Sequence, residues 1–243
     1  MTEKLGKIMC LIPARGGSKG IPQKNIYPLN GIPLIEYTIQ EALKVVDINS
    51  VMVSSDDRKI LNCASREGVI LVPRPLEISK DDSTVEDAIT HAIARAREFH
   101  NEFQTIIILQ PTSPLRNAED ILEAIHLYEA SGADSLISVC EVHPFLYKYK
   151  YPLSEICQDP GDEFVVEPDF LFHPRLCRQR LERIDRRFRD CCAIYICSVK
   201  YFEERHSFIA ELGKMAMYEM PPERAVDIDT MEDMKLAEYY LTR

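Results

Sequence analysis

Short apolar runs alternate with segments of helical periodicity along residues 8–142 of this 243-residue chain. The apolar runs have the length of buried strands, whereas the segments between them repeat apolar residues every three or four positions, as a helix with one buried face does. Four consecutive aliphatic residues at 106–109 indicate a central strand that is covered on both faces. In chain order, the pattern predicts strands at Ile8–Pro13, Val51–Ser54, Val69–Val72, Thr105–Gln110 and Ser135–Val142.

Helices are predicted between these strands. Ser83–Glu86 has the spacing of a capping box, and Asn117 has the character of an N-cap with acidic residues after it. The predicted helices cover Pro33–Val46, Asp57–Glu67, a segment from the capping box to about His100, and a segment from Asn117 to about Ser131. Alternation of this kind predicts an α/β fold with a doubly wound, mainly parallel sheet.

The alternation breaks after residue 142. Residues 143–190 contain prolines, aromatic residues and many arginines without a clear period, and the strand pattern returns only at Ala193–Ser198. A last helix is predicted at about 231–241. We therefore expect one domain over residues 1–243, with an inserted arm at about 143–190 that serves oligomerisation.

The composition is that of a globular protein, with 46% hydrophobic and 28% charged residues. The net charge of −10 disfavours a nucleic-acid partner, because an acidic surface repels the phosphate backbone. No apolar run reaches the length of a membrane span, and the polar amino end has no secretory signal. These features predict a cytoplasmic protein without a membrane partner.

The first predicted strand leads directly into a loop that is rich in glycines and cations, residues 14–25, called the cation loop below. It holds three glycines and three cations, the cations being Arg15, Lys19 and Lys24. Glycines let the backbone approach a ligand closely, and cations neutralise phosphate groups. Such a loop at the carboxyl end of a first strand favours a polyphosphate site, and the alternative is a solvated glycine turn. Its spacing matches neither a P-loop nor a dinucleotide fingerprint.

Two carboxylates near the end of the chain form a candidate metal site. In an extended Val226–Asp229 segment, Asp227 and Asp229 face one side while the apolar residues face the other. Such a pair suits Mg²⁺, which a polyphosphate ligand also calls for. The alternative is a role in helix entry, because Thr230–Asp233 has the spacing of a capping box.

Two further groups of polar residues are candidates for substrate contact. Gln110 ends the predicted central strand, where its side chain is placed to bind a polyhydroxylated molecule, although a rigid proline loop would account for its neighbours. Guanidinium groups suit a substrate carboxylate, and we expect one or two of the arginines of the insertion to contact it. That group consists of Arg175, Arg178, Arg180, Arg183, Arg186, Arg187 and Arg189.

The residues Ile12–Pro22 with Lys24 and Asn25 closely resemble the signature loop of the acylneuraminate cytidylyltransferases, also called CMP-sialic acid synthetases. The similarity continues in the expected order over most of the chain, through Ser54–Asp57, Arg74–Pro75, Leu109–Arg116, Ala193–Ile196 and Val226–Thr230. The resemblance implies a Rossmann-like fold of the nucleotide-diphospho-sugar transferase type. It also implies a homodimer in which the inserted arm reaches the neighbouring active site.

The resemblance further implies a reaction in which CTP and a nonulosonic acid give a CMP-sugar and pyrophosphate with Mg²⁺. Asp227 and Asp229 would bind the metal, and Gln110 would contact the sugar. Arg15, Lys19 and Asp229 are the implied catalytic residues, with Asp229 or a metal-bound hydroxide as the proton acceptor. The implied nucleotide-binding residues are Ala14, Arg15, Ser18, Lys19, Lys24, Asn25 and Arg74.

The chain departs from this family near the predicted sugar site. Cys191-Cys192 stands where many members have Asn-Gly, and the arginine segment is longer. Arg189 is the residue of this segment that we expect to contact the sugar. The sugar itself stays open among N-acetylneuraminate, legionaminate, pseudaminate and a deaminated nonulosonate. Two alternatives are a cytidylyltransferase for an octulosonate, which the two-glycine loop disfavours, and a silent nucleotide-sugar-binding protein, which the retained aspartates disfavour.

Overall fold

The structure is a computed structural model that describes residues 5–18, 20–45, 48–143, 146–149, 166–168, 186–211 and 213–243. The strands are β1 Ile8–Pro13, β2 Pro28–Leu29, β3 Ile32–Pro33, β4 Ser50–Ser55, β5 Val69–Pro73, β6 Thr105–Ile108, β7 Ser135–Val142, β8 Tyr147–Tyr149, β9 Val166–Pro168, β10 Arg187–Ser198 and β11 Met215–Glu219. The helices are α1 Leu34–Lys44, α2 Arg58–Ala64, α3 Val85–Glu98, α4 Ala118–Ser131, α5 Val199–Arg205 and α6 Met231–Leu241.

Seven of the described strands form one sheet in the order β11-β7-β10-β6-β1-β4-β5. β1 runs parallel to both β4 and β6, and β5 runs parallel to β4. β10 is antiparallel to β6, and β11 is parallel to β7. The chain leaves β1 towards β4 and then returns to β6 on the other side, so the carboxyl ends of β1 and β6 form the topological switch point at which such sheets bind ligands.

Both faces of the central strand are buried. Ile8, Cys10 and Ile12 belong to one apolar cluster with α1, α2 and α4, whereas Met9 and Leu11 belong to a second with α3 and α5. A third, smaller cluster lies beside the switch point. It joins the cation loop to the end of the chain, with Ile21, Leu29, Leu34, Leu115, Val226, Ile228, Met234 and Ala237 as its buried members.

The fold class is confirmed, since the sheet is mixed but mostly parallel and is covered by helices. The predicted bounds of β1, β7 and α6 are also confirmed. Several boundaries are wrong. The strand predicted at Thr105–Gln110 ends at Ile108, the helix predicted at Asp57–Glu67 ends at Ala64, the capping box of α3 uses Thr84 and Asp87, and β10 begins at Arg187 instead of Ala193. The sequence reading also missed α5, β11 and the β2–β3 pair.

The chain divides into two compact units. The first comprises Met1–Cys140 and Asp190–Arg243, and the second comprises Glu141–Arg189. In the second unit β8 pairs antiparallel with β9, and Arg186 donates to Glu141 at 2.7 Å. The inserted arm predicted at about 143–190 covers nearly the same residues, and its function in oligomerisation stays a prediction. Among the described helices, none is long and apolar enough to cross a bilayer.

Candidate active site

A cleft of about 540 Å³ opens at the carboxyl ends of β1 and β6. Residues from five separate parts of the first unit line it: Pro13, Arg15, Ser18, Gly20, Lys24, Asn25, Arg74, Asp81, Ser83, Thr84, Val85, Gln110, Pro111, Thr112, Asp227 and Asp229. All but three of the predicted site residues are among them. Ala14 is fully buried beneath the loop, Lys19 lies outside the described residues, and Arg189 belongs to the second unit.

Hydrogen bonds to β4 and to the residue after it hold the described part of the cation loop. The backbone N–H of Ala14 donates to the carbonyl of Ser54 at 2.9 Å, and the N–H of Gly16 donates to Asp56 Oδ1 at 2.9 Å. The buried Asn25 side chain donates to the carbonyl of Arg15 at 2.9 Å. The Asn25 side chain therefore holds the backbone of the loop in its conformation.

Two guanidinium groups face the cleft from opposite environments. Arg15 is partly exposed, and its Nη1 lies 3.6 Å from Asp81 Oδ1. Arg74 is buried and donates from Nε and Nη2 to the hydroxyl and carbonyl of Ser54 at 3.1 and 2.8 Å. Burial is the main cause of the lowered pKa of Arg74, which Asp56 partly offsets and Arg15 reinforces. Arg74 is therefore fixed in place, whereas Arg15 can exchange its acidic partner for an anionic ligand.

The cation loop touches the carboxylate segment directly. Lys24 Nζ donates to Asp229 Oδ1 at 2.8 Å and to the carbonyl of Ile228 at 2.7 Å. Gly20 approaches the same segment, because a β-carbon at this position would lie 2.5 Å from the carbonyl oxygen of Asp229. These contacts join residues 205 positions apart, so the two sequence motifs form one site.

The alternation predicted for Val226–Asp229 is confirmed. Val226 and Ile228 are buried in the third apolar cluster, while Asp227 and Asp229 line the cleft. In the described part of the chain, Asp227 Oδ1 is buried and has no hydrogen-bond partner. Burial raises the pKa of Asp227, hydrogen bonding by Thr112 opposes this shift, and repulsion by Asp229 adds to it.

These carboxylates match the chemistry of Mg²⁺. No group of three or more His, Cys, Asp or Glu side chains that could hold a metal occurs among the described residues. Magnesium, however, usually binds one or two protein carboxylates and completes its octahedron with water and substrate phosphates. The unpaired oxygen of Asp227, next to Asp229, therefore suits a cation that arrives with a triphosphate.

Gln110 and Thr112 are fixed by backbone contacts. The N–H of Ile228 donates to the carbonyl of Thr112 at 2.8 Å, which ties the loop after β6 to the carboxylate segment. The carbonyl of Gln110, a residue that lines the cleft, accepts from Arg116 Nη1 at 3.4 Å.

Arg116 is a site-supporting residue that sequence reasoning missed. It is 1% exposed, and it donates to the carbonyl of Ala193 at 2.9 Å and to the hydroxyl of Thr38 at 2.8 Å. Burial lowers the pKa of Arg116 to about 10, so the side chain remains charged at neutral pH. The sequence offered no signal for this role, since Arg116 looked like one more polar residue after a proline loop.

The two cysteines before Ala193 form a tight corner. Cys192 adopts a left-handed backbone with φ 56°, and its N–H donates to Asp190 Oδ1 at 2.8 Å. The hydroxyl of Tyr195 donates to the other oxygen of Asp190 at 2.9 Å. Burial raises the pKa of the Cys192 thiol to about 12, which keeps it protonated. Cys191 is fully buried, and its carbonyl accepts from Ser113 Oγ at 3.2 Å.

Several cleft residues carried only structural meaning in the sequence. Asp81 lies before α3, and Ser83, Thr84 and Val85 lead into the start of that helix. The first turn of α3 therefore faces the cleft, and helix amino ends favour anions. Capping residues resemble one another whether or not a ligand binds beside them, so the pattern at 83–86 could not indicate this.

Solved structures share this fold over nearly the whole chain. One is a CMP:2-keto-3-deoxy-manno-octonic acid synthetase complexed with CTP, with a TM-score of 0.66 and 15% identity over 97% of this chain and 98% of that chain. Another is a 4-diphosphocytidyl-2C-methyl-D-erythritol synthase from Anaerococcus prevotii, with a TM-score of 0.65 and 14% identity over 98% and 99%. The fold is therefore the Rossmann-like fold of nucleotidyltransferases.

The family model for cytidylyltransferases matches residues 9–223, so the chain belongs to the cytidylyltransferase family. It is 36% identical to N-acylneuraminate cytidylyltransferase A of Danio rerio, over 99% of this chain and 52% of that protein. It is 28% identical to the pseudaminic acid cytidylyltransferase of Campylobacter jejuni, over 95% of this chain and 94% of that protein. The resemblance inferred from the motifs is thus confirmed. The chain spans about half the length of the first curated relatives that it matches.

Proposed function

We propose that this protein transfers CMP from CTP to a nonulosonic acid and releases pyrophosphate. The contact of Lys24 with Asp229 carries the proposal, because it joins a phosphate-binding loop and a candidate metal site in one cleft. Membership of the cytidylyltransferase family and the names of the relatives support this reaction and its nucleotide.

The cation loop would bind the triphosphate. Arg15 and Lys24 line the cleft and supply positive charge, and Lys19 of the same loop is proposed to do so as well. Ser18 faces the same space as a hydrogen-bonding group, and Asn25 holds the loop backbone in shape. Arg74 adds a fixed guanidinium on the nucleotide side. Charge neutralisation and positioning of this kind account for most of the catalysis of phosphoryl transfer.

Asp227 and Asp229 would hold Mg²⁺ together with the phosphates of CTP. When bound, the cation neutralises charge on the triphosphate and polarises the reacting phosphoryl group. Lys24 orients Asp229 from the side of the loop, and the buried Oδ1 of Asp227 is available to a ligand. The contact of Lys24 with Asp229 supports this proposal, because it holds the carboxylate segment against the cation loop.

In the proposed reaction, the anomeric oxygen of the sugar bonds to the α-phosphorus of CTP while the bond to the pyrophosphate oxygen breaks in line. The anomeric hydroxyl loses its proton, and Asp229 is the proposed acceptor because it is 76% exposed at the mouth of the cleft. No nucleophile of the protein is required. Gln110 and Arg189 are the proposed sugar contacts, with the guanidinium matched to the carboxylate of the acid.

A pyrophosphate-release assay with CTP tests this proposal against its alternatives. We expect release with at least one of N-acetylneuraminate, legionaminate, pseudaminate and a deaminated nonulosonate in the presence of Mg²⁺. Release with an octulosonate alone would show a cytidylyltransferase of different specificity. A lack of release with every acid, together with CTP binding, would show a nucleotide-binding protein without this activity.

We further propose a homodimer that forms through the arm at about 143–190, and a location in the cytoplasm. The motif resemblance supports the dimer, and light scattering of the purified chain tests it. Cys10, Cys63, Cys192 and Cys197 are free thiols, which supports a reducing compartment. Fluorescence microscopy of a tagged chain in its cell of origin would test the location.

A further inference from the structure

The carboxylate of Asp229 is not fixed by burial, because its side chain is 76% exposed. An exposed side chain is free to change rotamer, and ordering it on a ligand costs conformational entropy. Lys24 Nζ holds one oxygen of this carboxylate, at 2.8 Å from Oδ1. The direction of the carboxylate therefore depends on how the backbone at residue 229 is held.

The peptide group between Ile228 and Asp229 is held at both of its polar atoms. Its carbonyl oxygen accepts from Lys24 Nζ at 2.7 Å, and its N–H donates to Asp233 Oδ2 at 3.1 Å. Because a peptide group is planar, bonds to these two atoms fix the orientation of the whole plane. The preceding peptide group is also held, since the N–H of Ile228 donates to the carbonyl of Thr112 at 2.8 Å. Asp233 thus provides one of the bonds that set the direction in which the Asp229 side chain leaves the backbone.

The bond from Asp229 to Asp233 goes beyond what a helix cap requires. In the capping box of α6, Asp233 Oδ2 accepts from the N–H of Thr230 at 2.8 Å, and the N–H of Asp233 donates to Thr230 Oγ1 at 3.3 Å. The capping box of α3 has the same pair of bonds, but there Ser83, the residue before the cap, donates to a backbone carbonyl instead. The cap of α6 therefore reaches one residue further, onto the segment that lines the cleft.

We propose that Asp233 is a positioning residue that fixes the Ile228–Asp229 peptide group and thereby directs the Asp229 carboxylate towards a divalent cation. The inference rests on the proposed function, since it assumes that Asp229 binds the metal. The described residues that line the cleft do not include Asp233, so it acts through Asp229 and not as a ligand. Loss of a group that holds a metal ligand in place typically weakens metal binding about 10- to 100-fold.

Binding of Mn²⁺ to the protein without nucleotide tests the inference, with free Mn²⁺ measured by electron paramagnetic resonance. We expect Asp233→Ala to bind the ion about 10-fold more weakly than wild type. Asp233→Asn removes the same charge but keeps a carbonyl oxygen that can accept the N–H of Asp229, so its affinity should lie within about threefold of wild type. An asparagine variant as weak as the alanine variant would overturn the inference, because the lost charge alone would then explain the effect.

Two control variants separate positioning from charge and from helix capping. Glu232→Ala removes an exposed carboxylate from the same turn of α6 and should leave the Mn²⁺ affinity within about twofold of wild type. Thr230→Ala weakens the cap but leaves the bond from Asp229 to Asp233. It should therefore unfold at a lower denaturant concentration while its Mn²⁺ affinity stays within about threefold of wild type.

The outcomes distinguish the inference from the proposed function on which it rests. Equal affinity of wild type and Asp233→Ala would overturn the inference, as would a loss in either control as large as that of Asp233→Ala. A wild type that binds no more Mn²⁺ than Asp229→Ala would instead overturn the proposed metal site.

Discussion

Gly17 and Gly20 lie three positions apart in the cation loop, but only one of them meets the opposite wall of the cleft. A β-carbon on Gly20 would lie 2.5 Å from the carbonyl oxygen of Asp229, whereas one on Gly17 would have no atom within 4 Å among the described residues. Neither glycine has a left-handed φ, so the difference between them is one of space alone. Gly20 thus lets the loop and the carboxylate segment pack together.

We therefore expect Gly20→Ala to lower the rate of pyrophosphate release by about 100-fold, because it pushes Asp229 away from Lys24 and misplacement of about 1 Å has effects of this size. Gly17→Ala is the control and should keep a rate within about twofold of wild type. Steady-state assays of both variants make the comparison. Equal rates would show that the contact of Gly20 with Asp229 does not matter for turnover.

Asp227, the proposed metal ligand, holds its carboxylate in an unfavourable environment. Burial raises its pKa above the ordinary 3.8, so the folded state holds the ionised form at a cost. Below pH 3.8 the carboxyl is protonated in both folded and unfolded chains, and the cost disappears. The cost of holding the ionised carboxylate in the folded state grows as the pH rises from 3.8 through the raised pKa, and it is fully present at neutral pH.

Asp227→Asn should consequently be more stable than wild type by about 1 kcal/mol at pH 7, while it loses turnover. The gain in the free energy of unfolding should shrink as the pH falls towards 4. Denaturant titrations at several pH values measure the gain, and the release assay measures the activity. A variant that is less stable than wild type at pH 7 would contradict the account of this carboxylate.

At the scale of elements, the site depends on how the loop after β6 is held against β10. Arg116 reaches both, since it donates to the carbonyl of Gln110 in that loop and to the carbonyl of Ala193 in the middle of β10. It also donates to Thr38 on α1, so one buried side chain ties the loop and the strand to a helix. Its acceptors among the described residues are neutral oxygens, which would lack donors if the side chain were removed.

Arg116→Ala should lower the free energy of unfolding by about 3 kcal/mol, because it leaves a cavity and buried carbonyls without donors. Arg95→Ala is the control. Arg95 is an exposed member of an ion pair with Glu98 in α3, and its loss should change the stability by less than about 0.5 kcal/mol. Chemical denaturation of both variants checks this, and similar losses would argue against the role assigned to Arg116.

The sequence predicted elements where the evidence is local. The aliphatic run of β1 and the capping box of α6 each contain their own signal, and their bounds are confirmed. It did not predict the polar first half of β10, because Arg187–Cys192 looks like part of the arginine-rich segment and is a strand only through pairing with neighbours. It likewise missed the corner at Cys192, whose left-handed backbone is imposed by Asp190 and Tyr195.

At the scale of the whole molecule, the sequence predicted the individual motifs of the candidate site but not the contacts that bring them together. Each motif carried its own chemistry in the sequence, and the alternation in Val226–Asp229 followed from period-two geometry. The salt bridge from Lys24 to Asp229 spans 205 positions, and no local pattern encodes it. What brings the two together is the third apolar cluster, which buries Ile21 of the loop with Val226 and Ile228.

All the described residues that line the cleft belong to the first compact unit, which predicts that nucleotide binding survives without the second. Replacement of residues 143–186 by a short Gly-Ser linker should leave the Kd for CTP within about threefold of wild type, since compact units fold on their own. The same variant should be monomeric and should lose sugar-dependent pyrophosphate release. Calorimetry and light scattering provide the measurements, and a variant that is dimeric and active would contradict the role proposed for the arm.

The contact between Lys24 and Asp229 also determines when the two walls of the cleft can come together during synthesis. The ribosome releases the amino end first, so the cation loop emerges long before its carboxylate partners. Until Asp229 has left the exit tunnel, Lys24 has no counter-charge from that segment and the packing of Ile21 against Ile228 cannot form. The packing that joins the cation loop to the carboxylate segment therefore forms only after translation has passed both aspartates.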